Sequence, residues 1–159
     1  IEENGGSLRI TTERVSNVEE ITVDVSGLTP RLADRFLARA YQKGYDKITL
    51  KFDKPELMIA IQNKVPELLG FEIMDQDKNS CIIQTISSKL EVDFDSSLRK
   101  AFIITLDMAD TCLEALKNND TKTLENLYHR DFDVNKFCYF CLRTINKGQH
   151  QGYFTGFFV

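Results

Sequence analysis

Positive charge is not in excess in this chain. Its 159 residues carry 20 Lys and Arg against 24 Asp and Glu, a formal net charge of -4 at pH 7. Broad contact with nucleic acid needs clustered cations to neutralise phosphates, so direct nucleic-acid binding by this chain is not expected. No apolar run approaches the roughly 18 residues that cross a bilayer, and no secretory signal pattern opens the sequence, so no membrane insertion is expected. Cysteine is sparse: four residues, without the spacings of a disulfide framework. That usage fits a reducing, cytoplasmic setting. Glycine-rich phosphate loops are missing, and so is any Glu-x-x-His pair or other His–carboxylate cluster of a metal-dependent enzyme. The chain is therefore read as no enzyme, and no catalytic residue is assigned. It also lacks internal repeats and low-complexity segments. What is left suits one or two small domains.

The sequence opens "IEENGGSLRI" without an initiator Met and reads as the interior of a longer protein. Residues 1–88 read as an α+β domain. "SLRIT" and "EEITVDV" alternate apolar and polar residues with period two, as half-buried strands do. In "SGLTPRLADRFLARAYQKGYD", Thr29 before Pro30 marks a helix start, with a hydroxyl to cap and a proline pre-set for the first turn. Leu32, Phe36, Leu37, Ala40 and Tyr41 make one face of that helix, and Gly44 sits where a C-terminal cap needs positive φ. "DKITLKF" returns to alternation, with Ile48, Leu50 and Phe52 on one side. Pro55 opens a second helix carrying Leu57, Met58, Ile61 and Val65, and Gly70 closes the turn after "PELL". "FEIMDQ" and "SCIIQTI" form two last strands about the turn Asp77-Lys78-Asn79. The expectation is a small mixed domain, β-α-β-α-β-β after an opening strand, with helical crossovers.

Residues 89–159 lose the strand signals. Residues 95–118 and 121–147 read as two long helices, the first capped by Asp95 or a neighbouring serine, the second by Asp120 or Thr121. On the first, Leu98, Ala101, Phe102, Thr105, Met108, Ala109, Cys112 and Leu116 recur at bundle spacing. The short break "KNND" makes the two helices antiparallel neighbours. On the second, at about 100° per residue, Leu124, Leu127, Asp131, Val134, Asn135, Cys138, Cys141, Leu142 and Ile145 fall in one stripe, with His129 on the polar side.

The pair Cys138-x-x-Cys141 thus points where leucines point, about four turns into a helix. A redox pair sits at a helix N-terminus, where the dipole lowers the thiol pKa. A structural zinc site wants four ligands, and Cys81 and Cys112 stand alone. Both thiols are expected to be buried core groups without zinc. Asp131 and Asn135, one turn apart, are the odd members of the stripe. They are expected to face inward, either hydrogen bonding across the bundle or to the end of a neighbouring element, or forming a metal or anion-linked polar site, since oxygen ligands at i and i+4 project together.

The residues "DFDSSLRKAFIITLDMADTCLEALKNNDTKTLENLYHRDFDVNKFCYFCLRTIN" resemble the first two helices of a PhoU domain. The family's ordered pattern falls on Leu98-Arg99, Met108-Ala109, Asp120 at the helix–helix turn, Asp131 with Asn135, and Arg143. "LARAYQKGYDKITLKF" and "LLGFEIMDQDKNSCIIQTIS" are similar to the segment that precedes the bundle in archaeal PhoU-like proteins. "ENGGSLRIT" looks like the last strand of the AbrB-type DNA-binding hairpin domain that usually comes first there. The resemblance implies a regulator of phosphate uptake and phosphate homeostasis, with a phosphate transporter or a phosphate-responsive regulator as partner. It also implies, as the alternative, the sensing and dimerising part of an AbrB-type transcriptional regulator. Bundles of the family can bind iron, zinc or manganese through acidic i, i+4 motifs. Asp131 and Asn135 stand at that motif here; the uncharged Asn135 argues against a tight multinuclear site, and a metal held by the pair is expected to be weakly bound because the third-helix ligands are missing. The family's third helix carries a second acidic motif that does not appear before Val159, so the PhoU-like bundle is read as incomplete.

Aromatic residues suggest association. Phe137 and Phe140 are placed on the polar side of the second helix, beside Lys136 and Arg143. In the terminal "GYFTGFFV", helical spacing would gather Tyr153, Phe154, Phe157 and Phe158 into a one-sided apolar patch. A homodimer or larger assembly is expected, with the tail aromatics packed against the partner or against the α+β domain; the alternative is that the tail starts a third helix of the monomer's own bundle.

Overall fold

The computed structural model describes residues 2–4, 7–9, 18–86 and 93–148. β1 (Glu2–Asn4) and β2 (Ser7–Arg9) form an antiparallel two-stranded hairpin, with Glu3 opposite Leu8. The "SLR" strand therefore pairs with residues before it and does not join the main sheet. There follow β3 (Glu20–Asp24), α1 (Pro30–Lys43), β4 (Lys47–Lys51), α2 (Pro55–Lys64) with a 3-10 turn at Val65–Glu67, β5 (Phe71–Gln76) and β6 (Ser80–Thr85). Two helices close the order, α3 (Phe94–Lys117) and α4 (Thr121–Asn146). The architecture is mixed α+β: a four-stranded sheet and four helices, two of them packed together after the sheet. Among the described residues no helix is long and apolar enough to cross a membrane.

The sheet runs β3-β4-β6-β5. β3 lies parallel to β4, with Ile21 opposite Ile48, and the two are joined by the α1 crossover that parallel neighbours require. β4 and β6 are antiparallel, pairing Ile48 with Ile83 and Leu50 with Cys81. Alternation puts these four residues on one face, and all four are buried. They share one core with Leu37 and Tyr41 of α1 and with Leu57, Met58 and Ile61 of α2. The opposite face carries Thr22, Asp24 and Lys51 to solvent.

Two expectations about α1 need correction. Thr29 occupies the N-cap position, but its hydroxyl makes no capping bond; its carbonyl accepts from Leu32 N at 2.9 Å and Ala33 N at 3.1 Å. Leu32 and Phe36 are exposed, whereas Ala33, Leu37, Ala40 and Tyr41 are buried against the sheet. Ala38 and Gln42 are buried as well. α1 is covered on two sides, so reading one stripe on its wheel merged positions that serve different neighbours. Gly44 holds φ +106° as the cap requires, and Gly70 holds φ +77°.

The helix limits fall within a residue or two of those read from sequence. α3 is capped by Asp93, whose Oδ1 accepts from Ser96 N at 2.8 Å, and not by Asp95 or a serine. α4 is capped by Asp120, which accepts from Thr123 N at 3.1 Å and from Thr123 Oγ1 at 2.7 Å. These bonds hold both carboxyls below their ordinary pKa. The stripe read on α3 also divides. Ser97, Ala101, Ile104 and Ala115 are buried toward α4, while Phe102, Ala109 and Leu116 are exposed.

Candidate functional site at the seam of the two units

α4 is the element that ties the helical hairpin to the α+β unit. Its Cys141 side packs with Phe94 and Ile145, and with Leu98 at their edge, closing the root of the hairpin. Its opposite side, about 160° away at Arg143, meets the end of α1. Sequence reading placed Arg143 on the polar surface beside Phe137 and Phe140. In the structure Arg143 and Phe140 are buried and Phe137 is half-buried, all within one protomer. The second helix is covered on both sides here, so its polar-looking side is not free.

Arg143 makes a fork of three bonds. Its Nη1 donates to the carbonyls of Tyr41 at 3.0 Å and Tyr45 at 2.7 Å, and its Nη2 to Asp46 Oδ1 at 2.6 Å. The guanidinium lies 5.0 Å from the Tyr41 ring and 4.8 Å from the Phe71 ring. Those rings stack edge to face at 5.0 Å, so the cation is held over two aromatic rings as well as by oxygen. Lys147 Nζ adds bonds of 2.6 and 2.7 Å to the Asp46 carboxylate, and Asn146 Nδ2 donates to Gln42 O at 2.8 Å. Cations at the C-terminal end of α1 also oppose its macrodipole.

The electrostatics follow from this packing. Burial pushes the Asp46 carboxyl up, but the Lys147 bond, the Glu19 N–H and the Lys147 and Arg143 charges outweigh it, and the pKa is lowered. Burial lowers the Arg143 pKa, against the pull of Asp46, and a guanidinium remains charged. Gly44 is needed here twice. Besides its positive φ, a Cβ at that position would stand 2.8 Å from Cγ of Lys147.

A second contact lies further along α4. Lys64 and Glu67 form a part-buried ion pair at 2.9 Å, and Lys64 Nζ sits 5.3 Å from the Tyr139 ring. Beside it opens a cleft of about 670 Å³ between the start of α1, the end of α2 and the middle of α4. Arg31, Lys64 and Lys136 line it together with Asp34, Glu67 and Asp133, a balanced set of charges. Tyr128 and Phe132, edge to face at 5.6 Å, form an aromatic ledge on the α4 wall. Burial raises the Asp34 carboxyl pKa against the charge of Lys64.

The residues singled out from sequence lie elsewhere. Asp131 is exposed and Asn135 half-buried; Asn135 Nδ2 donates to Asp131 Oδ2 at 3.0 Å along α4's own surface. They sit about 80° and 120° round the helix from Cys141, at the edge of the side turned to α3, so the inward placement is corrected. Among the described residues no three His, Cys, Asp or Glu side chains gather into a group that could hold a metal ion. The pair is bonded to itself and does not fit an iron, zinc or manganese centre with three or more protein ligands. Cys141 is buried, with Sγ 3.9 Å from Phe94 O, and burial pushes its thiol up to about 11. Cys138 is half-buried and its pKa is also raised by burial. Raised thiols are poor nucleophiles, as the packing reading of this pair requires. Tyr153, Phe154, Phe157 and Phe158 lie outside the described residues.

Comparison with protein-family models, with curated proteins and with solved structures gives no match.

Proposed function

We propose that this chain is a cytoplasmic regulator of PhoU type, restraining phosphate uptake through contacts with a transporter or its regulators and not through catalysis. The observation that carries the reading is the Arg143 fork, which fastens a long helical hairpin to the α+β unit by one end. A hairpin held this way can pass a contact made on its surface to the unit that holds it. The positions that carry the PhoU resemblance support the reading through definite roles. Asp120 caps α4, Arg143 is the buried fork, and Leu98 packs at the root of the hairpin. The cleft shares α1 and α4 with the fork, so an occupant there would bear on both units.

The β1–β2 hairpin favours a second reading, the sensing and dimerising part of an AbrB-type transcriptional regulator. One pair of experiments separates the two. Disrupting the gene in its own host is expected to leave phosphate uptake unrestrained at high external phosphate, and Arg143→Ala expressed at the parental level is expected to reproduce that loss. Uptake indistinguishable from the parent contradicts the transport reading. Recovery of the protein on specific promoter DNA, with uptake unchanged, would favour the transcriptional one.

A further inference from the structure

α3 carries two apolar stripes, and among the described residues only one of them is used. Its buried side, centred on Ala101, Ile104 and Ala115, meets α4. About 130° round the helix lies a second row: Phe102, Leu106, Ala109, Leu113 and Leu116. The intervals are four, three, four and three residues, the spacing of a coiled-coil seam. The four large members and the adjoining Ile103 are between 53% and 65% exposed. Elsewhere among the described residues the exposed large apolar side chains occur singly or in pairs; here five lie together on one helix.

Three features indicate the occupant. Large apolar residues flank its small central residue, Leu106 and Phe102 on one side of Ala109 and Leu113 and Leu116 on the other. A two-fold pair uses the same patch on both subunits, and Ala109 at the axis lets the helices approach closely. The area also suffices. At roughly 150–250 Å² per large aromatic side chain, and somewhat less for Leu and Ile, the five exposed side chains present on the order of 500 Å². Two such faces would bury about 1,000 Å², the lower bound for a specific interface. Finally, the α+β unit is fixed at the end of the hairpin where α3 begins, through α4. An antiparallel pair sends the two bulky units to opposite ends, where they do not collide.

We propose that this outward stripe of α3 is the seat of a second copy of the chain, paired antiparallel about a two-fold axis at Ala109. The inference is independent of the phosphate reading, since it concerns only which surface pairs. It also departs from the aromatic residues first expected to mediate association.

The test is sedimentation equilibrium of the full chain at micromolar concentration. The parent is expected at about twice its 18.3 kDa chain mass, and Leu106→Lys with Leu113→Lys at the single-chain mass with unchanged helical circular dichroism. In a Cys112→Ser background, Ala109→Cys is expected to give a covalent dimer on mild oxidation, because the axis brings the two introduced thiols together. A monomeric parent overturns the proposal, as does a dimer that survives both lysines. A dimer lost on Phe154→Ser with Phe157→Ser, but kept in the lysine variant, assigns association to the chain's end and also overturns it.

Discussion

The α+β unit and the helical hairpin bury their apolar residues very differently. In the first, one continuous core joins β4, β5 and β6 to both helices, from Val25 to Ile83. In the second, the buried cluster is Phe94, Cys141 and Ile145 at the hairpin's root. Further along, α4 between Thr121 and Val134 has no fully buried residue, and α3 shows a line of leucines to solvent. The first unit is held by area, the second by position. The hairpin keeps its place through a polar fork whose partners are backbone carbonyls and a single carboxylate, beside Tyr139, which packs against the α+β core. Such an attachment is specific in geometry and sensitive to single changes, because removing one partner strands the others in a buried setting.

The largest effect should come from breaking that attachment. Arg143→Ala leaves the Tyr41 and Tyr45 carbonyls and the Asp46 carboxylate short of a partner, and is expected to cost about 3–5 kcal/mol. Urea unfolding followed by helical circular dichroism should then separate into two transitions, with the hairpin melting first. Arg143→Lys should recover only part of the loss, since an ammonium cannot span two carbonyls and a carboxylate over two rings. Within the sheet unit, Leu37→Ala should cost about 2–5 kcal/mol through transfer and cavity terms and should leave a single transition.

The next effect is smaller. Gly44→Ala combines a positive φ with a close approach to Lys147, and about 1–3 kcal/mol is expected, read as a fall in the urea midpoint. The depressed Asp46 pKa adds a pH dependence. Its contribution to stability is fully present above the ordinary carboxylate value of about 4 and is lost as pH falls through the lower folded value. Acid should therefore loosen the hairpin, and Asp46→Asn should flatten that part of the pH profile.

Smallest of all is Ser97→Ala. Ser97 Oγ is buried at the hairpin's root with no hydrogen-bond partner, so replacing it should be neutral or stabilising by up to about 1 kcal/mol. A clear destabilisation would reveal a partner for that hydroxyl.

How far the sequence was legible depended on the distance over which each feature is decided. The Asp120 cap, the Gly44 turn and the alternation of "DKITLKF" are settled within a few residues, and local chemistry found them. The stripes on α1 and α3 were misread because a helical wheel cannot say how many neighbours surround a helix. Asp131 was read as inward from its place in the stripe, but α4 has no fully buried residue between Thr121 and Val134, so the stripe is not covered along that stretch. Arg143 was noticed as part of a family pattern and as a polar-side neighbour of Phe137 and Phe140, not as a buried fork. Its partners Tyr41, Tyr45 and Asp46 lie about a hundred residues earlier, and no local rule joins them. The one signal that could have hinted at it is an arginine in the last turn of an otherwise apolar helix end.

The central claim is that the Arg143 fork, and not apolar area, holds the hairpin on the α+β unit. Residue-resolved amide hydrogen exchange of the parent and of Arg143→Ala tests it most directly. In the variant, exchange should quicken through Phe140–Asn146 and the first turns of α3, while β4 and β6 keep their parental protection. Equal acceleration in sheet and hairpin, or no change in α4, would contradict it.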